Sequence, residues 1–132
     1  MVLLRRVLYL DALVSSLVGL GLIAAPGWVF EDLLGQPPAL DTAIHRLAGV
    51  ASFALALLMV LVAHRVEELW WWCWAFVVLE GGAGIVATLH AAVGVPRGAA
   101  SWPWWALAVA SGLFAGAFLW GIAGAAGESG PP

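Results

Sequence analysis

The chain has 132 residues, of which 64% are hydrophobic and 10% charged, and its mean hydropathy is +1.01. A soluble domain of this size cannot bury so much apolar surface, because its surface-to-volume ratio is unfavourable, so the composition is that of an integral membrane protein with lipid as its partner. A net charge of −3 without a basic patch argues against nucleic acid, and a single cysteine, Cys73, excludes an internal disulfide and any multi-cysteine metal centre.

Lysine and asparagine are absent while alanine and glycine abound, a bias expected of a GC-rich bacterial genome and hence of a bacterial inner (plasma) membrane. The first apolar run, Leu3 to Ala25, carries Arg5 and Arg6 at its start. Asp11 interrupts its core and the residues before Pro26 make a poor cleavage site, so the run reads as a retained helix and not as a signal peptide. Asp11, Ser15 and Gly19 recur at fours and share the face expected to point inward. A lipid-facing aspartate would cost at least about 2.5 kcal/mol. Pro26 and Gly27 end the helix, and Trp28 to Leu34 is expected to form interfacial turns, with Trp28 and Phe30 at the headgroup boundary and Glu31 and Asp32 wet.

Asp41 is the expected N-cap of a second helix that runs to Ala63, with His45, Gly49, Ser52 and Ala56 on one stripe and Arg46 on its flank. The polar turn after it is short, which predicts that helices two and three are antiparallel neighbours. The third helix, Glu67 to Ala92, opens on Trp70, Trp71, Trp72 and Trp74, an aromatic anchor at a membrane boundary, and holds Glu80 in mid-run and His90 near its end. Gly84 and the glycines beside Glu80 lack the strand-and-loop setting of a phosphate site and read as packing positions. The fourth helix, Pro103 to Ala123, carries Ala108, Gly112 and Gly116 at fours, a series that lets two helix backbones approach. Ala125 to Pro132 is expected to be a flexible tail. The prediction is an all-α, four-helix bundle of up-down topology, a single domain from Met1 to Gly124. Arg5, Arg6 and Arg65 against Arg97 place both termini in the cytoplasm by the positive-inside rule.

Charges within apolar runs must be paired or hydrated. Arg46 lies about 7 Å and Glu80 about 10 Å below the same boundary at 1.5 Å per residue, which predicts an Arg46–Glu80 ion pair. Asp11 lies deeper, within the expected reach of Ser52 and Ser111, either as a neutral acid or as part of a proton relay. His45 and His90 both lie towards the outer side and are the candidate ligands of a haem or chlorophyll, although His45 can equally pair with Asp41 one turn away. No catalytic motif and no metal-binding spacing occurs.

The opening LRRVLYLDALVSSLVGLGLIAAPGWVFEDLLGQPP followed by HRLAGVASFALALL resembles small four-helix membrane proteins of bacteria, the DoxX-like and related families of unknown function, over Leu4 to Ala63. The resemblance implies the fold and brings no catalytic residue with it. The expected role is therefore non-enzymatic: an accessory or interaction subunit of a membrane complex, or a small homo-oligomer, packed through Gly/Ala faces and needing no cofactor. Two alternatives stay open, a transport or proton-linked protein using Asp11, Arg46 and Glu80, and a haem-binding redox subunit using His45 and His90.

Overall fold

A computed structural model describes residues 1–38 and 41–128. Among them there is no strand; the chain is helical, and four stretches are long and apolar enough to cross a membrane. Helix α1 (Val2–Ala24) makes the first span and α2 (Ala43–His64) the second. The third span, Val66–Gly94, is assembled from α3 (Val66–Leu69), a 3-10 turn (Trp70–Trp72), α4 (Cys73–Leu89) and a π-helical turn (His90–Gly94). Helix α5 (Trp102–Glu128) makes the fourth. The protein is a multi-pass, all-α bundle.

The expected boundaries hold to within two residues at most ends. At the far end α5 continues to Glu128, so the expected tail is helical over its first four residues, Ala125 to Glu128, and Ser129 to Pro132 lie outside the described residues. Alanine, a strong helix former, supplies two of those four positions. Helix α2 starts at Ala43, two residues after Asp41, yet the Asp41 carboxylate still accepts a hydrogen bond from the Ala43 N–H at 2.8 Å and satisfies one of the free amides of the first turn.

Packing corrects one expectation about neighbours. The extensive contacts run from α2 to α1 and from α5 to α4, with a smaller contact between α1 and α5, so α2 and α4 are not the paired helices that their short connection suggested. The turn at Arg65 links two helices that both pack on others. The shared core lies in the half of the bundle that holds the N-terminus of α1 and the C-terminus of α5. There Leu4, Leu8, Met59, Val62, Val66, Cys73 and Phe118 are fully buried, and the rings of Phe76 and Phe118 lie 5.9 Å apart. At the edge of that core the Arg5 guanidinium donates to the Ala63 carbonyl at 3.2 Å and to Glu67, tying α1 to the α2–α3 turn.

In the other, distal half the bundle separates into two hairpins. Gly19 of α1 and Gly49 of α2 meet backbone to backbone: an added Cβ on either would stand under 3 Å from the other's carbonyl oxygen. Gly84 of α4 faces Ala108, Ser111 and Gly112 of α5 at ordinary contact distance. The loops rejoin the hairpins at the distal rim. The Ala100 N–H donates to the Gly35 carbonyl at 3.0 Å, and the Gln36 amide donates to the Leu34 and Ala100 carbonyls at 3.0 and 2.8 Å.

Candidate functional site: two acids inside the bundle

Asp11 stands about 14 Å along α1 from Val2 at 1.5 Å per residue, near the middle of its span. It is 2% exposed. One carboxylate oxygen, Oδ1, accepts a hydrogen bond from the Ser15 hydroxyl one turn on, at 3.3 Å; the other, Oδ2, is buried with no partner. Spacing by four is what puts Ser15 there, and Gly19 one turn further is the point where α1 and α2 touch, so the stripe Asp11–Ser15–Gly19 does face inward. Ser52 and Ser111, the other expected partners, form no hydrogen bond to Asp11, although Ser111 is itself buried.

Glu80 lies at the midpoint of the Val66–Gly94 span and is half-buried. Like Asp11, it is an acid at the middle of a span. The structure does not bring Arg46 to Glu80. Arg46 is exposed, and the arginines with side-chain ion pairs among the described residues are Arg5, with Glu67, and Arg65, with Glu68. The physical reason lies in the packing: α2 is held against α1 and α4 against α5, so Arg46 and Glu80 belong to different hairpins. The predicted trio is thus divided into an interior pair of acids, Asp11 and Glu80, and a peripheral arginine.

His45 and His90 are engaged with aromatic rings. His45 meets Phe30 edge-on, with centroids 4.1 Å apart, in place of the expected partner Asp41, and its Nδ1 is buried without a hydrogen bond. His90 lies 4.2 Å from the Trp104 ring. Phe30 is therefore turned towards α2 and not out to the membrane boundary, while Trp28, its neighbour by two, is exposed. No group of three or more metal-ligating side chains occurs among the described residues.

Of the expected packing residues, Gly84 and Ala108 make a helix contact, whereas an added Cβ on Gly112 or Gly116 would meet nothing within 4 Å. The tight crossing at Gly19 and Gly49 was not singled out as a packing contact by spacing. Its signal was the coincidence of a glycine at the same distal depth on two successive spans.

Comparison of the chain with protein-family models, with curated proteins and with solved structures finds no match.

Proposed function

We propose that this is a proton-linked membrane protein in which Asp11 and Glu80 together bind and release a proton at the middle of the bilayer. The observation that supports the reading is the Asp11 carboxyl, almost fully buried with one oxygen unpartnered, while a second acid, Glu80, stands half-buried at the middle of another span. Two bare carboxylates in apolar surroundings are costly, and a proton is the smallest cation that relieves them. Ionisable groups kept at such depth are functional by default, since an apolar side chain would be the cheaper filler.

A hydrophobic carbodiimide tests this, because it adds to a protonated carboxyl in an apolar setting. On vesicle-reconstituted protein, labelling at Asp11 or Glu80 should fall as pH rises and should vanish in an Asp11→Asn, Glu80→Gln variant. Labelling that is independent of pH marks a permanently neutral, structural acid and overturns the reading. So does the absence of labelling at any pH.

A second reading, an accessory subunit or homo-oligomer, is favoured by a different observation. Gly81 and Gly82 on α4 and Gly112 and Gly116 on α5 each have open space where a Cβ would stand, which leaves room for the close approach of a further helix at these positions. Disulfide trapping at Gly116→Cys, with Cys73→Ser to remove the native thiol, tests for a second copy; a monomer under oxidation removes the homo-oligomer.

A further inference from the structure

Between the two hairpins, in the distal half, lies a cavity of about 650 Å³. Its walls come from the last turns of α1 (Leu17, Val18, Leu22), from the π-helical turn Trp28–Leu33, and from the first turns of α5 (Trp104, Leu107, Ala110). We propose that this cleft holds one acyl chain of a phospholipid from the distal leaflet, as a site distinct from the general lipid contact of the helices.

Three observations carry this. The lining is hydrocarbon and aromatic except for Gln36, and the Gln36 amide is already committed to the Leu34 and Ala100 carbonyls while its oxygen accepts from the Trp104 indole at 3.4 Å. Inside the rim tryptophans Trp28 and Trp102, a polar ligand therefore finds no free side-chain donor or acceptor, and an unsubstituted chain loses nothing. The helical lining residues fall within about 8 Å of α1 and about 12 Å of α5 at 1.5 Å per residue, so the cleft lies inside one leaflet, where chains are the surrounding solvent. Finally, Leu17, Val18, Leu33 and Leu107 are exposed along its mouth, which makes the cleft continuous with the lipid-facing surface of the spans. Trp28 and Trp102, exposed at its distal rim, have the amphipathic character that settles at the headgroup level above such a chain.

The occupant is a chain already in the bilayer and not another helix. The Gln36–Ala100 and Gly35–Ala100 hydrogen bonds cross above the cleft and close its distal end to anything as thick as a helix, whereas a single chain, about half as wide, enters sideways.

The test uses the full chain in phosphatidylcholine vesicles doped with a phosphatidylcholine that carries a photoactivatable diazirine on one acyl chain. After illumination, labelled positions are read by mass spectrometry. Labelling per residue at Leu17, Val18, Leu33 and Leu107 should exceed, several-fold, that at Val78, Val109 and Leu113, which are comparably exposed but outside the cleft. Ala110→Trp, which fills the cleft from α5, should reduce the cleft labels to the level of those controls and leave the controls unchanged. Ala106→Phe serves the same purpose should the first variant fail to fold. Equal yields at cleft and control positions, or cleft labels indifferent to a folded filling variant, overturn the proposal. Neither outcome depends on the state of Asp11 or Glu80.

Discussion

At Gly49 an added Cβ would stand 2.7 Å from the Gly19 carbonyl oxygen, 2.9 Å from Leu22 Cβ and 3.0 Å from Ile23 Cγ1. All three belong to α1, and the Gly19 oxygen and Leu22 Cβ are fixed to its backbone, so Gly49→Ala must push α1 and α2 apart. Overpacking of this kind costs about 1–3 kcal/mol. Gly116→Ala meets nothing and replaces glycine by the best helix former, which favours the helix by up to about 1 kcal/mol. Thermal unfolding in a mild detergent should therefore show a lower midpoint for Gly49→Ala and an equal or higher one for Gly116→Ala. The reverse order would mean that the Gly112–Gly116 face is already covered by a partner and that the α1–α2 crossing is loose. The contrast also explains why spacing alone did not single out Gly19 and Gly49 as the tightest crossing. A GxxxG spacing says that a close approach is allowed, but the sequence around it is equally apolar towards lipid and towards protein, so nothing in it marks which face is inside.

Among the elements, the long apolar runs were legible because span length is set by bilayer thickness and by proline and glycine at the breaks. The tryptophan-rich start of the third span was legible as a boundary, yet not its 3-10 turn, which depends on how Trp70 to Trp72 pack. Nor did pattern reveal the link between the distal loops, because Gln36 acts through a residue 64 positions away. Its amide makes two hydrogen bonds to carbonyls, each worth about 0.5–1.5 kcal/mol net. Gln36→Ala removes both and the acceptor for Trp104. Amide exchange at Ala100, whose N–H is held by Gly35, should then quicken about tenfold, the equivalent of about 1.4 kcal/mol of local stability, with little change in the core at Leu8 or Met59. Unchanged exchange at Ala100 would show that the backbone bond to Gly35 alone ties the loops.

Across the whole molecule, helix order decides which charges meet. The contacts pair α1 with α2 and α4 with α5, whereas the short turn at Arg65, which implied neighbours, passes from one hairpin to the other. The candidate acids were legible individually, because an acid in an apolar run is conspicuous; their partnership was not, because it depends on α1 lying between α2 and the rest of the bundle. Removing Arg46 and Glu80 together, as Arg46→Gln with Glu80→Gln, should give stability changes that add to within about 0.3–0.5 kcal/mol, as for sites that share no partner. A larger coupling would restore the ion pair that the depth argument suggested.

The interior pair makes the opposite forecast. Asp11→Asn keeps the shape of the side chain and an oxygen to accept the Ser15 hydroxyl, while removing a carboxyl that has one buried oxygen unpartnered and that, in the proposed reading, shares a proton with Glu80. The variant should therefore unfold at a higher temperature than the native chain at neutral pH, by the trade-off in which a residue kept for function lowers stability. Glu80→Gln should also be stabilising, and less so, because Glu80 is only half-buried and the Asp11 desolvation remains. Once either charge is gone the repulsion is gone, so the double variant should gain less than the two single gains combined, with a coupling in the range of about 0.5–3 kcal/mol found for residues in direct interaction. Strict additivity would mean that the two acids do not sense each other, and a destabilised Asp11→Asn would mean that the carboxylate at position 11 is held by a favourable cationic partner. In either case the proton-linked reading would lose its support and the open glycine face of α4 and α5 would become the better guide to what this protein does.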